Sequence, residues 1–155
     1  MDICTIINLK NKIMIKIILT FVIYLITNIA YSQESNTVKN DSYNITINVP
    51  KVVNNKGKIY FSLYNEKTFL TTALKDQSIE ITNNTATITF KSIPKGNYAV
   101  VCYHDSNNNN KLDFENGMPL EDFGSTNNVF NYGPPKFDDA KFEVKDKDLN
   151  FDIKF

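Results

Sequence analysis

From Tyr43 onward the chain alternates apolar and polar residues with a period of two, and this restricts it to strands that keep one face in a core. Tyr43, Ile45, Ile47 and Val49 fall on one face while Asn44, Thr46 and Asn48 fall on the other, the signature of a half-buried strand. Pro50 ends that run, and Asn54, Asn55 and Gly57 supply a turn. Residues 58–64 alternate again, with Ile59, Phe61 and Leu63 inward. Further strand-length stretches lie at 78–82, 85–90, 98–103, 140–144 and 149–155. Asn83-Asn84 is a two-residue turn, so 78–90 reads as a hairpin. Residues 98–103 form the most apolar stretch and are expected at the centre of a sheet.

Helical pattern is nearly absent after Tyr43. Residues 66–76 have some helical flavour, but Thr68, Thr71 and Thr72 limit it to one or two turns. The expected fold class is therefore all-β: a single antiparallel β-sandwich, immunoglobulin-like or transthyretin-like, of about seven strands. A 36-residue insertion, 104–139, interrupts the strands. It is too long for a plain connection, so it should be ordered by something and should carry the function.

The first 32 residues are of another kind. Lys10, Lys12 and Lys16 precede an apolar run from Ile17 to Ala30, and Ala30-Tyr31-Ser32 supplies small residues at −3 and −1 of a cleavage site. Residues 1–32 read as a signal peptide cut before Gln33, with Met14 an alternative start. The rival reading is an uncleaved membrane anchor, but the run is about 14 residues, short of the roughly 20 that a spanning helix needs; with it cleaved, no membrane span is expected in the mature chain. Residues 33–42 are polar and aperiodic and read as a flexible lead, leaving 43–155 as the domain. The expected location is periplasmic or extracellular.

Charge and cysteine content narrow the function classes. The 17 basic residues are all Lys, against 17 Asp plus Glu; without a basic patch, a nucleic-acid partner is not expected. The mature chain keeps one cysteine, Cys102, which cannot form an internal disulfide and reads as a small buried hydrophobe. His104 is the only histidine. A hydrolase would have to use it as base with Asp105, Asp113, Glu121 or Asp122, and no Ser or Cys stands in a nucleophile motif. The expectation is a non-enzymatic protein, with His104 capping the strand end or orienting Asp105.

One loop carries chemistry. Counting Asp105 as one, side-chain oxygens fall at three (Asn107), five (Asn109) and nine (Asp113), with the Lys111 carbonyl at seven and Leu112 at eight. This is the spacing of an EF-hand-type calcium loop. Glu115 and Asn116, at eleven and twelve, are candidates for the closing ligand. Position six is Asn110 rather than Gly, and Asn is the next residue to adopt the left-handed conformation the turn demands. With few carboxylates, affinity should be on the order of 10⁻⁴ to 10⁻³ M. Asn and Asp together make up 33 of 155 residues, so the alternative of a solvated Asn-rich turn stays open. Phe114, Phe123, Phe130, Tyr132 and Phe137 form either a sugar-stacking face or a satellite core under the insertion.

Ile93-Pro94-Lys95-Gly96-Asn97-Tyr98-Ala99-Val100, the His104 to Asp113 loop, Gly117-x-Pro119, Gly124-Ser125-x-Asn127-Asn128 and the 133–142 segment together resemble the bacterial exported family catalogued as domain of unknown function 2141. The resemblance spans about residues 43–155. It implies a small exported domain and brings no established activity; the family usually has Gly where this chain has Asn110. A looser similarity joins the turn before Tyr98 to transthyretin-like and carboxypeptidase-regulatory sandwiches. The functional expectation is a calcium-stabilised module presenting a loop surface to a cell-envelope protein or glycan, with a metal-free carbohydrate-binding or envelope-assembly module as the alternative. Intact-mass analysis of exported material should give a chain beginning at Gln33; a membrane fraction retaining residues 14–32 would refute the cleavage.

Overall fold

The computed structural model describes Lys10 and residues 12–24, 41–130 and 133–155. The expected cleavage site, residues 33–40 of the expected lead and Tyr132 lie outside these. The chain divides into two units, Met1–Lys39 and Asn40–Phe155. In the first, residues 12–24 are helical with their apolar side chains exposed. No helix among the described residues is long and apolar enough to cross a membrane.

The second unit is mostly β, with ten strands among the described residues. β1 (Ser42–Val49) lies between β10 (Leu149–Asp152) and β4 (Ala86–Pro94) in a three-stranded sheet. A second sheet has the order β3 (Lys75–Glu80), β2 (Lys58–Tyr64), β5 (Gly96–Asp105), β8 (Phe123–Ser125), and β9 (Phe142–Val144) pairs with the start of β5. β6 (Phe114–Glu115) and β7 (Met118–Pro119) form a separate hairpin.

Alternation in the sequence becomes burial in the structure. Ile45, Ile47 and Val49 of β1 and Ile59, Phe61 and Leu63 of β2 are fully buried, and they join Phe90 of β4 and Val100 and Cys102 of β5 in one apolar cluster. Both sheets contribute to that cluster. β5 is central as expected, with β2, β8 and β9 as partners.

Four expectations need correction. There are ten strands rather than about seven, because β6, β7 and β8 lie inside the insertion and have only two or three residues each, too few to show a period. The sheets are not antiparallel throughout: β1 and β10 run parallel, Ile45 opposite Leu149 and Ile47 opposite Phe151, a pairing joined by most of the domain's length. The hairpin at 78–90 is a corner instead. Its turn forms, with Asn83 and Asn84 at φ 53° and 61° and Thr82 and Thr85 exchanging backbone bonds of 3.0 Å, but β3 then pairs with β2 and β4 with β1. The strand before that turn is also earlier than expected, because β3 begins at Lys75. The helical flavour at 66–76 amounts, within the one or two turns expected, to one 3-10 turn, Glu66–Thr68, capped by the Asn65 side chain accepting from the Thr68 amide at 3.1 Å.

After β8 the chain is pinned from within. Thr126 is fully buried; its hydroxyl accepts from the Val100 amide at 3.2 Å and donates to the Ala140 carbonyl at 2.5 Å. Thr126→Val keeps the shape but strands both backbone groups, so it should cost about 1–3 kcal/mol. A lower urea midpoint at unchanged slope is the expected result, and an unchanged midpoint would show that the hydroxyl carries no weight.

Candidate metal-binding loop

The loop is built at the end of β5, where the last residue of the strand, Asp105, is fully buried. A buried carboxylate needs partners, and the chain beyond it wraps so as to provide them. Asp105 Oδ1 accepts from the Asn109 amide at 3.0 Å and Oδ2 from the Asn110 amide at 2.9 Å. Two further side-chain turns follow: Asn107 Oδ1 accepts from the Asn109 amide at 3.0 Å, and Asn109 Oδ1 from the Lys111 amide at 2.9 Å. Asn108 and Asn110 are left-handed, at φ 61° and 62°, the conformation that the sixth position of such a loop requires.

Asp113 closes the ring. Its Oδ2 accepts from Asn107 Nδ2 and from Asn109 Nδ2, each at 2.7 Å. Asp105, Asn107, Asn109 and Asp113 are therefore joined in one hydrogen-bonded loop, with Lys111 in its backbone. Glu115 and Asn116 stand elsewhere: both are exposed on the β6–β7 hairpin, with Asn116 and Gly117 forming its turn at φ 50° and 80°. The acid that reaches the loop is Glu121. Its Oε1 accepts from the Ser106 amide at 2.9 Å and the Ser106 hydroxyl at 3.3 Å, and its Oε2 from the Asp113 amide at 3.4 Å. Position seventeen of the count is outside any spacing rule, so the sequence offered no signal for this role.

The β2 strand supports the loop from the side. Tyr60 donates its hydroxyl proton to Asn110 Oδ1 and stacks on Tyr103 with ring centroids 5.2 Å apart and planes 9° apart. Burial, with the Asp105 charge adding to it, pushes the Tyr103 hydroxyl up to about 12. His104 is buried; its Nε2 donates to the Lys56 carbonyl at 2.6 Å, and its backbone amide donates to the Asp122 carbonyl at 2.8 Å. Burial also pushes the Cys102 thiol far above its ordinary range, which suits an inert hydrophobe. Of the aromatics in the insertion, Phe114 and Phe130 are exposed and Phe123 and Phe137 half-buried, the last meeting Phe69 edge to face at 5.6 Å.

Among the described residues, no three His, Cys, Asp or Glu side chains form a metal-holding group. The oxygen donors gathered here are mixed, two loop carboxylates with two Asn side chains. A model of the family described as "Uncharacterized protein conserved in bacteria (DUF2141)" matches residues 47–152, and the chain belongs to that family. No curated protein and no solved structure matches it.

Gly57 holds the base of the loop. At φ +74° it lies so close that a Cβ would fall 1.9 Å from the Asp105 carbonyl oxygen, whereas Gly117 at φ +80° faces open space. Gly57→Ala and Gly117→Ala each carry the left-handed penalty of roughly 1–2 kcal/mol, but only the first must displace Asp105. Denaturant melts should show Gly57→Ala as clearly the more destabilised; equal losses would mean that the contact with Asp105 is unimportant.

Proposed function

We propose that this is an exported, non-enzymatic β-sandwich module whose Asp105 loop is stabilised by calcium and presents a binding surface to a cell-envelope protein or glycan. The observation that supports it most is the Asp105–Asp113 loop itself. A hard cation with flexible geometry takes carboxylate, amide and backbone oxygens from alternate positions of a tight turn, and Asp105, Asn107, Asn109 and Asp113 supply the side chains at those positions, with the Lys111 carbonyl at seven. Glu121 replaces Glu115 and Asn116 as the acid nearest to closing the set. The shared apolar cluster supports the sandwich, since both sheets place their inward residues in it. The export reading rests on residues 1–32 as a signal peptide. A buried His104 occupied with the Lys56 carbonyl favours a structural role over that of a hydrolytic base.

A metal-free module is the second reading, and one observation favours it. The side-chain amides of Asn107 and Asn109 both donate to Asp113, so the loop closes on its own donors. Exposed Phe114 and Phe130 would then be the surface offered to a glycan.

A thermal melt separates the two. With calcium in millimolar excess, about ten times a 10⁻⁴ M dissociation constant, stability should rise by RT ln 11, roughly 1.4 kcal/mol. Magnesium should help less, because it demands near-ideal octahedral geometry. Asp105→Ala should abolish the rise, and Asp113→Asn, which preserves shape, should reduce it. Identical melting temperatures in chelator and in calcium would leave only the metal-free module.

A further inference from the structure

We infer that Asn116 is a site of spontaneous deamidation, a self-modification that alters the tip of the loop surface without any enzyme. Asn116-Gly117 is the only Asn-Gly pair in the sequence. Both residues are exposed, and nothing lies within 4 Å of the place a Cβ of Gly117 would occupy. The Gly117 α-carbon is therefore open on the side where any other residue would carry a side chain next to the attacking nitrogen.

The hairpin that holds the pair is weak. Its ladder has two registers, Phe114 opposite Pro119 and Glu115 opposite Met118, and Pro119 has no N–H to give. Phe114 and Met118 are 59% and 69% exposed, so little burial resists opening. Short, exposed elements of this kind open at low free-energy cost, and opening lets the Asn116 side chain and the Gly117 nitrogen reach the geometry of attack.

The chemistry needs only water. The Gly117 nitrogen attacks Asn116 Cγ; the new N–C bond closes a five-membered succinimide, and the Cγ–Nδ2 bond breaks as Nδ2 departs as ammonia, carrying away the proton of the attacking amide. Water then adds to one of the two ring carbonyls, opening the ring to aspartate or to isoaspartate. The Asn residues of the Asp105 loop are less able to react. The side chains of Asn107 and Asn109 are bound to Asp113 and that of Asn110 to Tyr60, and all four, Asn108 included, are followed by a residue with a side chain.

Either product changes the surface. Aspartate adds a negative charge next to Glu115. Isoaspartate inserts an extra backbone carbon into a two-residue turn, which breaks the β6–β7 register and with it the 2.8 Å bond from the Leu120 amide to the Asp113 carbonyl. This inference does not depend on calcium.

The test is to hold the purified full chain in mildly alkaline buffer and follow each Asn by peptide mapping, separating aspartate from isoaspartate. Asn116 should convert before any other Asn. Gly117→Ala should slow it by roughly tenfold, since a Cβ hinders the attacking nitrogen. Because that variant also strains the turn, Asn116→Gln serves as a second; its longer side chain should leave position 116 unmodified over the same period. Faster conversion at another Asn would overturn the proposal. So would an intact Asn116 after a synthetic peptide of residues 112–121 has converted.

Discussion

The fold depends on a single apolar cluster fed by two sheets, and between β3 and β5 the chain must change sheets twice within a few residues to build it. Ile45 and Phe90 come from one sheet, Phe61 and Val100 from the other. Between β3 and β4 the change is made over Asn83-Asn84, and between β4 and β5 over Lys95 alone, with Gly96 at φ 154° taking the bend. Such corners need residues that tolerate positive φ, and the chain has only five Gly. Asn fills the gap. Nine non-glycine residues have positive φ among the described residues, and seven are Asn. Asn accepts this conformation because its short amide can hydrogen-bond locally. The Asn-rich composition that makes a metal motif easy to meet by chance is thus, in large part, the material of the turns.

The Asp105 loop belongs to the same logic. β5 ends on a carboxylate with no exposure at all, and its burial is tolerable because two backbone amides of the following turn point at it. The loop geometry is then fixed from three sides: by Asp105 below, by Tyr60 from β2 and by Glu121 across the ring. Gly57 sets the distance from which β2 approaches. A cation would tighten a loop that these contacts already shape.

What was legible in the sequence is what had room for a period. The bounds of β2 are those of its alternating stretch, and β1, β4, β5, β9 and β10 each fall on an expected run. β6, β7 and β8 were illegible, since two or three residues carry no alternation, and so was the parallel pairing of β1 with β10, because strand direction leaves no trace in hydrophobic pattern. The loop divides in the same way. Asp105, Asn107, Asn109 and Asp113 are within nine residues of one another, and local spacing brings them together. Glu121 arrives only after the β6–β7 hairpin has turned the chain back, so its place is a tertiary fact. Glu115 and Asn116 fit the count but sit where Asn116-Gly117 prefers to make a turn, and turn chemistry prevailed over ligand spacing.

The motifs that carry the family resemblance also have a physical reading. Within Gly124-Ser125-Thr126-Asn127-Asn128, a Cβ on Gly124 would meet the Lys154 carbonyl oxygen at 2.8 Å. Asn127 Nδ2 donates to the carbonyls of Asp139 and Lys141 at 3.0 and 2.9 Å. Asn128 behaves like a strand residue, giving Nδ2 to the Asp152 carbonyl at 2.8 Å and taking the Lys154 amide at 2.7 Å. Asn127 thus ties the segment after β8 to the approach to β9, and Asn128 ties it to the end of β10 in the other sheet. This segment accordingly serves closure: it fastens β8 to the approach to β9 and to the C-terminal strand, while the β6–β7 hairpin and the rim of the Asp105 loop, which carry other motifs of the same resemblance, stay exposed. Outside that closure, Phe114, Met118 and Leu120 stand 59%, 69% and 62% exposed beside the loop, held out by a scaffold that is fastened on the far side of β8.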